Sequence, residues 1–326
     1  MTDIPTGKLN QEDLDLPTLA GEAISQNQDT LDELTLRAYF QKYCEMAGYI
    51  IPEKSLVGIA GEAIVYRAEE GDRNPHAIKL LRTLTSLEEI PETHALSLEA
   101  RYTQMAKEAG AFVPRIYDHG TIRGTDILEN AMYLDMEFIE GDVAARLHLT
   151  PKEAVKVSRD TAFNLSKFHT LGFPHGDLKR ANILVPYGRH AYLIDTTPQR
   201  EEDRVDKISV LYCPEEVLTK KIRPNEAADM YALGITLYWL VKNRRPFQNE
   251  LRPKTESELQ QAVRVQLYTL KELRRGTDYL HLPPLKIGAV DLTDIFRECT
   301  HKDPSKRLSA QTAYEQLNIA YDRILF

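Results

Sequence analysis

The sequence predicts an α+β fold with two lobes, in which a strand-rich part precedes a helix-rich part. Short strand-like segments follow one another in residues 49–140, whereas residues 141–326 contain mostly segments with helical periodicity. A chain of 326 residues also suits two domains or one large two-lobed unit. We therefore divide the chain into an amino-terminal extension (residues 1–48), a first lobe (49–140) and a second lobe (141–326).

The composition argues against several classes of protein. The chain has 49 acidic and 41 basic residues, a net charge of -8, which disfavours binding to nucleic acid, although a local basic groove could still bind a nucleotide. The most apolar segment, residues 231–241, is too short to cross a bilayer, so we expect no membrane insertion. Three widely spaced cysteines and a start without signal-peptide features predict reduced thiols and a cytoplasmic location.

The extension combines a polar segment with one predicted helix. Residues 1–28 are polar and mostly without periodicity, and a helix is predicted over residues 30–47. Its imperfect apolar stripe consists of Leu31, Leu34, Tyr39, Phe40, Tyr43 and Met46. We expect this helix to dock on the lobe that follows, with binding to a partner protein as the alternative.

The first lobe is predicted to contain several strands and one helix. Residues 56–70 and 76–81 are strand-like, and further strands are predicted over residues 115–119 and 132–139. The helix is predicted over residues 96–110 and ends at a glycine. Its apolar positions are Leu98, Tyr102, Met105 and Ala109.

Two helices define the second lobe. Thr150, Pro151 and Glu153 form a capping-box start for the first of them. Its predicted buried face consists of Ala154, Val157, Ala162, Leu165 and Phe168. The other helix, residues 227–241, is apolar nearly all round, which predicts a position at the centre of the lobe.

A polar segment of the second lobe carries a candidate active site. Residues 175–184 contain Asp177, Lys179 and Asn182, and Asp195 ends an apolar segment thirteen residues after Asn182. Oxygen ligands at the ends of adjacent strands suit Mg²⁺, and a nearby carboxylate could orient a hydroxyl group and accept its proton. A salt-bridged loop with a capping asparagine is the alternative, but the joint spacing favours the site.

A lysine and a glutamate of the first lobe add to this pattern. Lys79 lies in a strand between apolar residues, and Glu99 lies twenty residues later on the following helix. A pair formed by these two side chains could hold the lysine against phosphate oxygens. A strand lysine alone would be a weak signal.

With these motifs the chain resembles the protein kinase family, over roughly residues 55–320. The resemblance implies that Lys79 holds the α- and β-phosphates of ATP and that Glu99 is its ion-pair partner. It also implies that Asp177 is the catalytic aspartate and that Lys179 steadies the γ-phosphate. These four residues are the expected catalytic set.

The same resemblance implies a nucleotide and metal site. Residues 134–141 resemble the hinge between the lobes, with Met136 as gatekeeper and the backbone of Glu137 and Ile139 bonded to adenine. Asn182 and Asp195 are the implied Mg²⁺ ligands. The full implied set of cofactor-binding residues is Val57, Gly58, Val65, Ala77, Lys79, Met136, Glu137, Ile139, Asp142, Asn182, Leu184 and Asp195.

Features outside the catalytic segments extend the resemblance. Residues 213–215 resemble the family's A-P-E motif, with Arg307 placed as the ion-pair partner of Glu215. Asp229 and Gly234 open the central helix, and Asp229 resembles the aspartate that braces the catalytic loop.

The sequence departs from the family pattern in three motifs. In the glycine-rich loop only Gly58 occupies a family position, which predicts weaker contact with the phosphates. The metal motif reads Asp195-Thr196-Thr197, without the usual phenylalanine and glycine. Gly176 replaces the arginine before the catalytic aspartate, so we expect activity that does not depend on phosphorylation of Thr196, Thr197 or Ser209.

The sequence therefore predicts an ATP- and Mg²⁺-dependent serine/threonine protein kinase with protein substrates. The altered motifs favour an alternative, a pseudokinase that binds nucleotide or acts as a scaffold. Residues 175–177, His-Gly-Asp, also resemble kinase-like phosphotransferases for small molecules such as aminoglycosides or choline. Transfer of a nucleotide instead of a phosphoryl group remains a further alternative.

Overall fold

The computed structural model describes residues 33–60, 63–71, 74–85, 89–92, 94–123, 130–196, 209–219, 223–247 and 256–324. These residues form the predicted α+β fold, with a strand-rich first lobe and a helical second lobe. The division of the chain at residues 48 and 140 stays a prediction.

The first lobe is built on one antiparallel sheet of five strands, which are β1 (Leu56–Ala60), β2 (Ala63–Glu70), β3 (Asn74–Thr85), β4 (Ile116–Arg123) and β5 (Asn130–Glu137). Their order in the sheet is β1-β2-β3-β5-β4. The predicted strands of this lobe are therefore confirmed, with shifted ends. The connection from β3 to β4 contains helix α2 (Ala95–Glu108).

Helices cover both faces of this sheet. The β5 side chains alternate between the faces, as the two-residue period of a strand requires. Ala131 and Tyr133 pack in the cluster that includes helix α1 (Glu33–Ala47), whereas Met132 and Leu134 pack in the cluster of α2. This double cover explains why β5 is buried along nearly its whole length.

The docking of α1 on the sheet confirms one prediction and corrects another. Tyr39, Phe40 and Tyr43 are buried against the sheet, as expected. Leu34 and Met46 are exposed, and Leu36 and Cys44 complete the buried stripe instead. The reason is helical spacing, because residues 36, 40 and 44 follow one another at four-residue steps on one face. Residues 30–32 lie outside the described residues.

Helix α2 turns a different face to the core from the one predicted. Its buried positions include Leu96, Ala100 and Thr103. The predicted residues Leu98, Tyr102, Met105 and Ala109 are only partly buried. This helix lies at the junction of the lobes, where Tyr102 stacks on Phe173 of the second lobe at 4.4 Å between ring centroids.

The second lobe consists mainly of helices. They are α3 (Pro151–Thr170), α4 (Glu215–Leu218), α5 (Glu226–Lys242), α6 (Glu256–Arg274), α7 (Thr293–Cys299) and α8 (Ala310–Arg323). The short strands are β6 (Asp142–Val143), β7 (Ile183–Val185), β8 (Tyr192–Leu193), β9 (Lys286–Ile287) and β10 (Val290–Asp291). The strands β6, β7 and β8 form a three-stranded sheet in that order.

The predicted start and buried face of α3 are confirmed. Thr150 and Glu153 form a reciprocal capping box, with the Thr150 backbone N–H donating to Glu153 Oε2 at 2.8 Å. All five residues of the predicted apolar face are buried. This agreement follows from the local nature of a cap, whose partners lie three residues apart.

Helix α5 lies at the centre of the lobe, as its apolar sequence predicts. Residues 228–238 are buried without interruption. At Gly234 a Cβ atom would lie 2.7 Å from Thr300 Cγ2 and 2.9 Å from Cys299 Cβ, so glycine permits the close contact with α7. The three cysteines are free thiols. No helix among the described residues is long and apolar enough to cross a membrane.

Candidate active site

A buried lysine joins carboxylates of both lobes. Lys79 on β3 donates from Nζ to Glu99 Oε1 at 2.7 Å and to Asp195 Oδ1 at 3.0 Å. The side chains of Lys79 and Glu99 are only 12% and 13% exposed. The helix α2 supplies Glu99, and the segment after β8 supplies Asp195. The predicted lysine–glutamate pair is therefore formed, and it contacts the predicted metal ligand.

The charges in this cluster stabilise one another. Burial opposes the charged form of Lys79, but Asp195 and Glu99 outweigh it and raise the lysine pKa. Burial raises the pKa of Glu99, with Lys79 opposing the change. For Asp195 burial is outweighed by Lys79, which holds the pKa of that carboxyl below its usual range. Asp195 is consequently an anion at neutral pH.

A second cluster surrounds Asp177. Lys179 Nζ donates to Asp177 Oδ2 at 2.6 Å, and Asn182 Nδ2 donates to the same oxygen at 3.1 Å. The hydroxyl of Ser209 donates to Asp177 Oδ1 at 2.9 Å. Asp177, Lys179 and Asn182 are thus brought together as the spacing predicts. The sequence did not identify Ser209 as a member of this site, because its contact spans 32 residues and has no local signal.

The two clusters meet between β7 and β8. The backbone N–H of Ile194 donates to the backbone carbonyl of Asn182 at 3.1 Å. Asp195 follows Ile194 directly, so this bond keeps its backbone close to that of Asn182. The amide nitrogen of Asn182 makes the bonds to Asp177, which leaves its side-chain oxygen as the atom suited to a cation. An amide oxygen and an ionised carboxylate are the hard oxygen donors that Mg²⁺ prefers, so these residues fit that ion.

The other candidate nucleotide contacts lie on strands and connections around these clusters. Val65 is paired with Lys79 across β2 and β3, and Ala77 is paired with Met136 across β3 and β5. Within the second lobe, Leu184 on β7 is paired with Val143 of β6. Residues 138–141, which include Ile139, connect β5 to β6 and hence one lobe to the other. Their contacts with nucleotide stay predictions.

Two of the three departures from the family pattern lie at Gly58 and in the segment that begins at Asp195. At Gly58 the register of β1 against β2 shifts, and residues 61–62 lie outside the described residues. Asp195 has a φ of 56°, a left-handed conformation that non-glycine residues adopt only at a cost. Thr196 is buried, and Thr197 lies outside the described residues.

Asp229 of α5 holds the segment that precedes Asp177. Its Oδ2 accepts from the backbone N–H of His175 at 2.7 Å, and its Oδ1 accepts from that of Gly176 at 3.0 Å. His169 Nε2 lies 3.0 Å from Asp229 Oδ2. Gly176 has a φ of 85°, which glycine adopts without steric strain. A buried carboxylate thus fixes the backbone that presents Asp177.

His175 is held as a neutral ring. Its Nε2 lies 3.0 Å from the carbonyl oxygen of Ile194, which can only accept, so Nε2 carries the proton. Its Nδ1 accepts from the backbone N–H of Asp177 at 3.4 Å. Burial lowers the pKa of His175 more than Asp229 and Asp177 raise it.

We therefore expect His175 to stay neutral at and below about pH 6.5, where an unperturbed histidine is half protonated. Because the folded pKa is depressed, this group's contribution to stability is complete above the unfolded pKa and decreases as the pH falls towards the folded value. Nitrogen NMR of the imidazole should show a single Nε2–H tautomer across this range, with exposed His148 as an internal comparison. An unperturbed titration of His175 would contradict the assignment.

Glu216, and not the predicted Glu215, forms the ion pair with Arg307. Arg307 Nη1 donates to Glu216 Oε1 at 2.6 Å, whereas Glu215 Oε2 lies 3.8 Å from Arg274 Nη1. Successive residues at the start of α4 point about 100° apart, so only one of them can face Arg307. The prediction of Glu215 as the partner was wrong, and the prediction of Arg307 as the arginine was correct.

Comparison with known proteins adds to this geometry. The model of the protein kinase domain matches residues 52–318. A similar protein is serine/threonine-protein kinase PknE of Mycobacterium tuberculosis, 30% identical over 222 residues, which are 64% of this chain and 38% of the relative. Serine/threonine-protein kinase PkaB of Streptomyces coelicolor is 31% identical over 201 residues, 55% of this chain and 45% of the relative. The chain thus spans less than half the length of these curated relatives.

Proposed function

This chain belongs to the protein kinase family, and we propose that it is an ATP- and Mg²⁺-dependent serine/threonine kinase that phosphorylates proteins. The observation that carries the proposal is the position of Lys79, which bridges Glu99 of the first lobe and Asp195 of the second. The two carboxylates hold the Lys79 ammonium group between the lobes, where it could bind the phosphate oxygens of a nucleotide. Two relatives named as serine/threonine-protein kinases support the class of acceptor.

Each residue has a separate part in the proposed reaction. Lys79 binds phosphate oxygens of ATP, and Glu99 keeps its ammonium group in position. Asn182 and Asp195 hold Mg²⁺, which neutralises charge on the phosphates when it is bound. Asp177 orients the acceptor hydroxyl and accepts its proton, while Lys179 stabilises charge on the phosphoryl group in transfer. Most of the catalysis is therefore positioning and electrostatics.

The pseudokinase alternative has its own support. The glycine-rich loop keeps a family glycine only at Gly58, and Thr196 replaces the family's phenylalanine after Asp195. Both changes suit a module that binds nucleotide without transferring phosphate. The intact charge network around Lys79 and Asp177 favours the active enzyme.

Intact-mass measurement of the protein and of a generic protein substrate after incubation with ATP and Mg²⁺ tests the proposal. We expect a phosphoryl mass on serine or threonine, lost when the metal is chelated. Nucleotide binding without transfer would instead identify a pseudokinase. Addition of a nucleotide mass, or ATP consumption only with a small amine or alcohol, would identify the transferase alternatives.

We propose a cytoplasmic location and protein substrates, with no nucleic-acid partner and no insertion into a membrane. The net charge of -8 and the three free thiols support this assignment. The apolar stripe of α1 packs against the sheet of the first lobe. A partner protein that binds this helix would therefore have to contact the exposed residues of α1. That partner stays a prediction.

A further inference from the structure

Two arginines share one tryptophan beside the Asp177 cluster. The guanidinium carbon of Arg180 lies 4.5 Å from the centre of the Trp239 ring, and that of Arg245 lies 5.6 Å from it. Arg180 follows Asp177 by three residues, Trp239 lies near the end of α5, and Arg245 lies in the turn after that helix. Cation–π contacts hold both guanidinium groups in defined positions.

The positive charge at this place is not neutralised among the described residues. Arg180 donates from Nη2 to the carbonyl oxygens of Ala144 and Ala145, at 3.0 and 3.3 Å, and its buried Nε has no hydrogen-bond partner. In the part of the chain that the structure describes, the side chains of Arg180 and Arg245 contact the Trp239 ring and, for Arg180, two backbone carbonyls, and neither pairs with a carboxylate. Burial lowers the pKa of Arg180, and Arg245 lowers it further, against the opposing effect of Tyr212.

Tyr212 connects the arginine pair with the Asp177 cluster. The Tyr212 ring is parallel to that of Trp239, with 6.1 Å between centroids. Tyr212 follows Ser209 by three residues, and Ser209 already donates to Asp177. Asp177 is also close enough to raise the pKa of Tyr212, although burial is the main cause of its rise to about 12. A peptide with its hydroxyl at Asp177 would therefore have neighbouring residues near Tyr212 and Trp239.

We propose that Arg180, Trp239 and Arg245 form a subsite that selects acceptor segments with an anionic side chain, a carboxylate or a phosphate, near the target hydroxyl. The inference rests on the proposed protein kinase function and specifies its substrate class. Arg245 is half-buried and makes the direct contact, whereas Arg180 is buried and adds charge while it fixes Trp239. A planar guanidinium group binds either anion through paired hydrogen bonds.

The proposed preference for anionic peptides comes from the local charge of the two arginines and not from the net charge of the chain. The chain as a whole is acidic, so it does not attract an anionic peptide over long distances. A guanidinium group held on an aromatic ring loses little freedom when it binds an anion, which increases the net gain from the contact. The preference should weaken with added salt, because the subsite is only partly buried.

Peptides with one serine in a neutral background test the inference. Each flanking position carries in turn glutamate, phosphoserine, glutamine or lysine, and kcat/KM is measured for each peptide. We expect the wild type to prefer glutamate or phosphoserine over glutamine by about tenfold at one or more positions, which a single charged hydrogen bond can supply. Preference for phosphoserine alone would identify phosphorylated substrates as the source of the anion.

Arg245→Glu should reduce this ratio to one or below and favour the lysine peptides. Lys302→Glu is the matched control, because it makes the same charge change at an exposed position after α7 and should keep the wild-type preference. Equal rates with glutamate and glutamine in the wild type, or an unchanged preference in Arg245→Glu, would overturn the inference.

A binding measurement separates this inference from the proposed function. Fluorescence anisotropy with peptides in which alanine replaces the acceptor serine reports selection without phosphoryl transfer. If no peptide is phosphorylated but the anionic ones bind in an Arg245-dependent way, the proposed function fails and the subsite stands. If peptides are phosphorylated without regard to charge, only the subsite fails.

Discussion

Replacement of Asp177 by asparagine is expected to lower the rate of phosphoryl transfer by about 10² to 10⁴-fold and to leave nucleotide binding in place. Asparagine keeps the shape of the side chain but cannot accept the proton of an acceptor hydroxyl. In the wild type, Lys179, Asn182 and Ser209 all donate to the carboxylate. The NH₂ group of asparagine cannot accept a hydrogen bond, so at least one of these bonds would be lost. In the proposed mechanism, nucleotide binding depends instead on Lys79 and on the residues proposed to hold the metal.

Transfer to a generic substrate and ATP affinity, measured on the same protein, separate these two effects. Asp294→Asn is the control, because it makes the same chemical change on α7 in a side chain that is 87% exposed. A variant at Asp177 with the wild-type rate would remove this residue from the mechanism. Loss of ATP binding and of thermal stability together would instead indicate that Asp177 is mainly structural.

Replacement of Glu216 by alanine is expected to cost about 3 to 5 kcal/mol of unfolding free energy, because it leaves a buried arginine without its anion. The side chains of Arg307 and Glu216 are 1% and 14% exposed, and their atoms are 2.6 Å apart. Arg307 also donates to the carbonyl oxygens of His301 and Ala227, so the pair connects α4 with the segments around α5 and α8.

Glu215→Ala provides a matched control, since it removes the same side chain from the adjacent residue. Glu215 is 45% exposed and lies 3.8 Å from Arg274 Nη1, too far for a hydrogen bond, so its loss should cost less than the loss of Glu216. Urea or thermal unfolding of the two variants measures the difference. Equal losses of stability, or a larger loss for Glu215→Ala, would contradict the ion pair.

Several features of the molecule could be predicted from the sequence because their causes are local or strongly periodic. The capping box at Thr150 depends on residues three apart, and the burial of α5 depends on a helix that is apolar on every side. The proposed catalytic segment was recognisable because Asp177, Lys179 and Asn182 lie within one short loop. Spacing along the chain is sufficient evidence in such cases.

Other features depend on which faces meet after the chain has folded. The stripe of α1 uses Leu36 and Cys44 because these residues face the sheet, although Leu34 and Met46 are equally apolar. Aspartate is rarely fully buried, and no local pattern in the sequence predicts burial of Asp135. In the structure it is buried on the α1 side of the sheet, where Tyr43 and Tyr49 donate to its carboxylate at 2.8 and 2.9 Å.

The sequence by itself determined the family and the two-lobed fold and predicted the residues with catalytic chemistry, since side-chain type and short-range spacing carry that information. Only the tertiary structure decided that Glu216 and not Glu215 faces Arg307, that Ser209 donates to Asp177, and that two arginines meet at Trp239. Each of these contacts joins segments far apart in the chain. Their pairing depends on the rotation of one packed element against another, which no local pattern of residues specifies.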